Sequence, residues 1–88
     1  MFEWDEAKRL RVLRDRGADF IDALRMFDGR PIRHVPSRRN NENRFASTAE
    51  VNGKFYTVIW MWREENQRII SFRRARHGEE RAYRQIFG

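Results

Sequence analysis

The run Phe55-Tyr56-Thr57-Val58-Ile59-Trp60-Met61-Trp62 carries no charge and places an apolar, aromatic or β-branched side chain at every position. A strand of this make-up has no polar face to offer water, so it belongs at the centre of a sheet covered on both sides. Its neighbours follow from local signals. Asn52-Gly53 precedes it and suits a type I′ turn, in which both central residues take positive φ. Before that turn, Arg44 to Val51 alternates, with Phe45, Ala49 and Val51 on one side and Arg44, Thr48 and Glu50 on the other. After the central strand, Glu64-Glu65-Asn66-Gln67 turns the chain into Arg68-Ile69-Ile70-Ser71-Phe72-Arg73-Arg74. Two short edge strands are expected, one at Phe2 to Trp4 and one from Ile32 to Val35, the latter ended by Pro36. Residues 37–43 contain no apolar side chain and read as an exposed loop.

Helices flank this meander. Asp5 is a candidate N-cap, with Ala7, Leu10, Val12 and Leu13 marking an apolar stripe and Gly17 a left-handed C-cap. Asp19 caps a second helix, in which Phe20, Ala23, Leu24 and Phe27 follow the helical period until Gly29 and Pro31 stop it. A last helix spans His77 to Phe87, with Ala82, Tyr83 and Ile86 on one face. The expected fold class is therefore α+β: two N-terminal helices, an antiparallel sheet of three main strands with short edge strands, and a C-terminal helix. The N-terminal pair covers one sheet face. The other face needs the C-terminal helix or a partner.

Eighty-eight residues leave room for one domain, 1–88, and 40% hydrophobic content with 14% aromatic residues argues that it folds. No cysteine is present, which removes disulfides, thiol nucleophiles and Cys-based zinc sites. His34 and His77 are far apart and match no metal-ligand spacing, so neither a metal nor a cofactor is expected. No apolar run reaches the roughly 20 residues that cross a bilayer, and the acidic start lacks the form of a signal peptide. A cytoplasmic protein without membrane contact is the expectation.

The arginines remain. The formal charge is +6, and 17 of the 19 basic residues are arginine. Guanidinium binds phosphate oxygens in bidentate fashion and stays charged at any cellular pH, so a polyanion such as RNA is an apt partner. RNA also supplies its own nucleophile, the 2′-hydroxyl. A sheet lined by Arg44, Arg63, Arg73 and Arg74 could steady the charge that builds on phosphorus during that attack. Adjacent strand residues point to opposite faces, so Arg73 and Arg74 cannot both face the open side of a regular strand. One of them lies over a helix, sits at the sheet margin or is re-aimed by a bulge. Tyr83 or His77 could protonate the leaving 5′-oxygen, though the apolar-face spacing of Tyr83 favours core packing. Trp60 and Trp62 share one parity and read as core.

Several motifs resemble the BrnT family of bacterial toxins. They are the opening Phe2-Glu3-Trp4-Asp5-x-x-Lys8, Gly17 followed by Phe20, Phe27-Asp28, Arg44-Phe45 before a hairpin, and Arg68-Ile69-Ile70-Ser71-Phe72-Arg73-Arg74-Ala75 followed by Glu79 and Tyr83. The resemblance implies a RelE-like ribonuclease toxin of a type II toxin–antitoxin pair that blocks translation by cleaving RNA. It also implies neutralisation by a BrnA-type antitoxin with a ribbon-helix-helix part, and contact with operator DNA through that complex. On the matching positions it implies roles for Arg44, Arg68, Arg73, Arg74, Lys8 and Tyr83. We place Arg44, Arg63, Arg73, Arg74 and Tyr83 in catalysis, and Lys8, Arg68 and Arg76 in RNA binding. The chain departs from the family pattern in Val12-Leu13-Arg14-Asp15-Arg16-Gly17, where an Asn-x-x-Lys-His-Gly ending is usual, and at Ala49 and Arg76. The competing reading is a non-catalytic basic module that binds nucleic acid or an antitoxin.

Overall fold

A computed structural model describes all 88 residues. The order is β1 (Phe2–Glu3), α1 (Glu6–Arg16), α2 (Phe20–Ala23) running into a 3₁₀ turn (Leu24–Phe27), β2 (Arg33–Arg39), β3 (Glu42–Val51), β4 (Lys54–Arg63), β5 (Asn66–Arg74) and α3 (His77–Phe87). The strands form one sheet in the order β1-β5-β4-β3-β2, with β1 parallel to β5 and every other pair antiparallel. The fold class is α+β as expected, with a mixed sheet and a different weighting of elements.

Two expectations are corrected. Residues 37–43 are not a loop. β2 continues through Pro36 to Arg39 and pairs with β3, and Asn40 and Asn41, at φ 52° and 60°, make the reversal. Pro36 is tolerated because β2 is an edge strand, where a missing N–H can face away from the ladder. The second helix is a single α-helical turn continued as 3₁₀, so the N-terminal pair is one helix and one short helix.

The caps behave as their side chains dictate. Asp5 accepts a hydrogen bond from the Lys8 backbone N–H, Asp19 accepts one from Ile21, and Gly17 closes α1 at φ 67°. The buried face of α1 centres on Val12; Ala7 is exposed and Leu10 is 52% exposed. The core lies between one sheet face and α2 with its 3₁₀ turn. Phe20, Ala23 and Met26 pack there with Ala49, Val51, Val58, Trp60, Ile69 and Phe72. Trp62 shares that face but lies at its rim, 54% exposed, where its ring meets Trp60 edge-on.

β5 carries a bulge with consequences for the opposite face. Ile59 pairs with Ser71 and Trp60 pairs with Ile69, so Ile70 is the extra residue. The bulge lets Ile69 and Phe72, three positions apart, both enter the core. It also re-aims Arg68, opposite Met61, to the face that a regular strand would deny it.

Candidate nucleic-acid groove

The second sheet face is only partly covered. α3 lies over its lower end, where Tyr83 packs edge-on against Phe55 and Phe87 adds to the cluster. Beyond α3 the face opens as a groove of about 480 Å³. Its floor carries Arg44 from β3, Ile59 from β4, and Ile70, Ser71 and Arg73 from β5. α1 supplies one wall through Lys8, Arg11, Val12, Asp15 and Arg16, residues that share one helical face. Ser37 and Arg39 of β2 and Arg76 at the start of α3 complete it. A smaller hollow of about 310 Å³ continues it, sharing Arg44 and Ile70 and adding Glu42, Met61, Arg63 and Arg68.

Nine cationic side chains line the two hollows together. Four are paired: Arg44 with Glu42 at 2.6 Å, Arg73 with Glu79 at 2.8 Å, Arg68 with Glu3 at 2.7 Å and Arg63 with Glu3 at 3.7 Å. Lys8, Arg11, Arg16, Arg39 and Arg76 form no ion pair. Asp15 is the one carboxylate lining the larger hollow. Such a surplus of like charge in a concavity focuses the field and draws anions into it.

Lys8 responds both to burial and to this surplus. Burial lowers its pKa from the usual lysine value, the charges of Arg44 and Arg11 lower it further, Asp5 opposes them, and Arg16 adds a smaller push. Glu79 shows the converse. Burial raises its carboxyl, but the hydrogen bond from Arg73, the Arg76 backbone N–H, the Arg73 charge and the Thr57 hydroxyl outweigh burial and hold it at about 2. A carboxyl depressed from 4.5 to about 2 stabilises the fold fully above pH 4.5 and loses that contribution as pH falls toward 2. Glu79→Gln should therefore flatten the thermal-melting curve between those pH values, removing on the order of 1–3 kcal/mol of acid-sensitive stability after solvent screening.

The structure gathers Arg44, Arg73, Lys8 and Arg76 in the larger hollow, and Arg63 and Arg68 in the smaller one. Arg74 and Tyr83 lie outside both. Arg74 points to the opposite face at the sheet margin, donating to the Phe55 carbonyl at 3.3 Å and lying over the Tyr56 ring. Tyr83 is 8% exposed, and its hydroxyl donates to the Pro31 carbonyl. Neither side chain therefore lines the hollows, where their expected catalytic roles would place them. Arg11, Arg16 and Arg39 were not foreseen. The helical spacing of Arg11 and Arg16 from Lys8 carried the signal for two of them; Arg39 was hidden by the assumption that Pro36 ends its strand.

A small α+β sheet protein with an open groove lined by nine cations has the shape and charge to accept a polyanion. Residues 4–79 match the family model described as the ribonuclease toxin, BrnT, of type II toxin–antitoxin systems, and the chain belongs to that family. The family indicates a ribonuclease toxin with an RNA substrate and an antitoxin partner. No curated protein sequence matches the chain. No helix is long and apolar enough to cross a membrane.

Proposed function

We propose that residues 1–88 form a single BrnT-like toxin domain, RelE-like as the family resemblance implies, that cleaves RNA in its arginine groove without a metal ion. The observation that carries this reading is the convergence of Arg44 and Arg73 on one hollow rimmed by five cations that have no carboxylate partner. In the proposed reaction the RNA 2′-oxygen attacks the adjacent phosphorus, and the bond to the 5′-oxygen breaks. The products are a 2′,3′-cyclic phosphate and a 5′-hydroxyl. Arg44 and Arg73 take the charge that grows on the non-bridging oxygens, with Arg63 and Arg68 holding the flanking backbone. Lys8, in its neutral form, removes the 2′-hydroxyl proton, and water in the open groove protonates the leaving oxygen. Arg11, Arg16, Arg39 and Arg76 bind phosphates along the strand. Arg74 and Tyr83 support the sheet margin and the seat of α3.

Cleavage of cellular RNA would block translation. A BrnA-type antitoxin would neutralise the toxin in the cytoplasm, and the pair would meet operator DNA through the antitoxin's ribbon-helix-helix part. The purified protein should cleave single-stranded RNA in the presence of EDTA. Intact RNA after long incubation with salt-sensitive binding would establish the competing reading, a non-catalytic basic module. Lys8→Arg keeps the charge but cannot give up a proton; it should retain RNA binding and lose about 10²-fold in cleavage rate. The wild-type rate should rise with pH as Lys8 deprotonates, with the rise centred below pH 10.5.

A further inference from the structure

Arg44 and Arg73 are held in complementary ways. A guanidinium offers five N–H groups, which form two bidentate edges: the end (Nη1 and Nη2) and the side (Nε and Nη2). Glu42 takes the side edge of Arg44, accepting from Nε at 3.1 Å and Nη2 at 2.6 Å. Glu79 takes the end of Arg73, accepting from Nη1 at 2.8 Å and Nη2 at 3.0 Å. The Arg74 carbonyl accepts a further Nη1–H at 3.3 Å. The unused hydrogens of Arg73 are therefore Nε–H and the second Nη2–H, which lie side by side on one edge. That edge matches two oxygens of a phosphate.

Glu79 is itself over-determined. Besides Arg73 it accepts from the Arg76 backbone N–H at 2.7 Å and from the Thr57 hydroxyl at 3.0 Å. Thr57 is fully buried and has one hydroxyl proton, which it gives to Glu79. Thr48 must then donate to the Thr57 oxygen, 2.8 Å away. A chain of oriented groups thus runs from Thr48 on β3 through Thr57 on β4 to Glu79 on α3 and ends on Arg73. Glu42, 41% exposed, has no comparable support from other side chains.

We infer that Glu79 is a positioning residue: it clamps the end of the Arg73 guanidinium so that the free side edge is presented to a phosphate in the groove. The inference rests on the ribonuclease reading of the groove. It runs against the simple electrostatic expectation, in which a carboxylate beside a phosphate site only weakens binding.

The test uses the purified chain with two substrates, a cleavable RNA and the same RNA carrying a 2′-deoxy residue at the cleavage position. For Glu79→Gln the clamp is lost while a negative charge is removed. Binding of the deoxy substrate should be unchanged or tighter by a few-fold, while kcat falls about 10²-fold. A change that merely loosened the fold would weaken both. In an Arg73→Ala background, Glu79→Gln should alter kcat by less than about threefold, because the clamp has nothing left to hold. Should Glu79→Gln fail to fold, Thr57→Val removes one support of the carboxylate and should lower kcat about tenfold at constant binding. Wild-type kcat in whichever of the two variants folds overturns the inference, as does an equal loss from Glu79→Gln with and without Arg73. If Arg73→Ala alone cleaves at the wild-type rate, the groove reading falls and the inference falls with it.

Discussion

Replacing Arg44 and Arg73 together with alanine should reduce RNA cleavage by at least about 10³-fold and restore growth to cells that express the chain without an antitoxin. One fixed donor at a developing negative charge typically supplies about 10²–10³ in rate, and the two act on the same phosphate, so their effects need not multiply. The folding cost of the two changes differs. Glu42, left behind by Arg44→Ala, is 41% exposed and can be hydrated. Glu79, left behind by Arg73→Ala, is 22% exposed and sits on the buried Thr57, so that change should cost about 1–3 kcal/mol. Cleavage is therefore compared well below the melting midpoint, with circular dichroism confirming the fold. Arg74→Ala supplies the contrast. Its guanidinium lies at the sheet margin on the other face, and activity should stay within a few-fold of wild type. Full toxicity in a folded Arg44→Ala, Arg73→Ala variant would be incompatible with the proposed chemistry.

The second large effect concerns the core beneath the groove. Phe72 is 1% exposed, stacks on Tyr56 at 5.0 Å and shares β5 with Arg73 and Ser71. Phe72→Ala should cost about 3–5 kcal/mol, the removed surface plus the cavity left behind. A domain of this size has only about 4–13 kcal/mol of stability in total, so a loss of that order should leave much of the protein unfolded at growth temperature. Thermal melting would show it directly. Phe72→Leu keeps most of the volume and should recover more than half of the loss. An alanine variant melting within a few degrees of wild type would mean that the face opposite the groove does not hold the sheet.

What could be read from sequence was what is local. Asp5, Gly17 and Asp19 cap helices through contacts within three or four residues, and Asn52-Gly53 turns because of its own backbone preferences. The central strand was legible because eight uncharged residues have few alternatives. The misreadings came from placement in three dimensions. Pro36 breaks an interior strand but not an edge strand, and only the sheet order puts β2 at the edge. Asn40-Asn41 adopts the same positive-φ geometry as Asn52-Gly53 without a glycine to announce it. The bulge at Ile70 reverses the parity of Arg68, so period-two counting along β5 fails there. The basic character of the site was visible in the arginine count. Which arginines meet was not: adjacency puts Arg73 and Arg74 on opposite faces, but only the register of β5 against β4 decides which of them faces the groove. Tyr83 was more legible: its helical spacing favoured packing over a site role, and its ring lies edge-on against Phe55.

The central claim is that fixed guanidinium groups assist attack by the RNA's own 2′-hydroxyl. It is tested most directly by one substrate with a single 2′-deoxy substitution at the mapped cleavage position, incubated with the purified protein in EDTA and compared with the all-ribose strand. Cleavage should vanish at that position alone, and the all-ribose products should end in a 2′,3′-cyclic phosphate and a 5′-hydroxyl. Undiminished cutting of the substituted strand, or products ending in a 3′-hydroxyl and a 5′-phosphate, would contradict it.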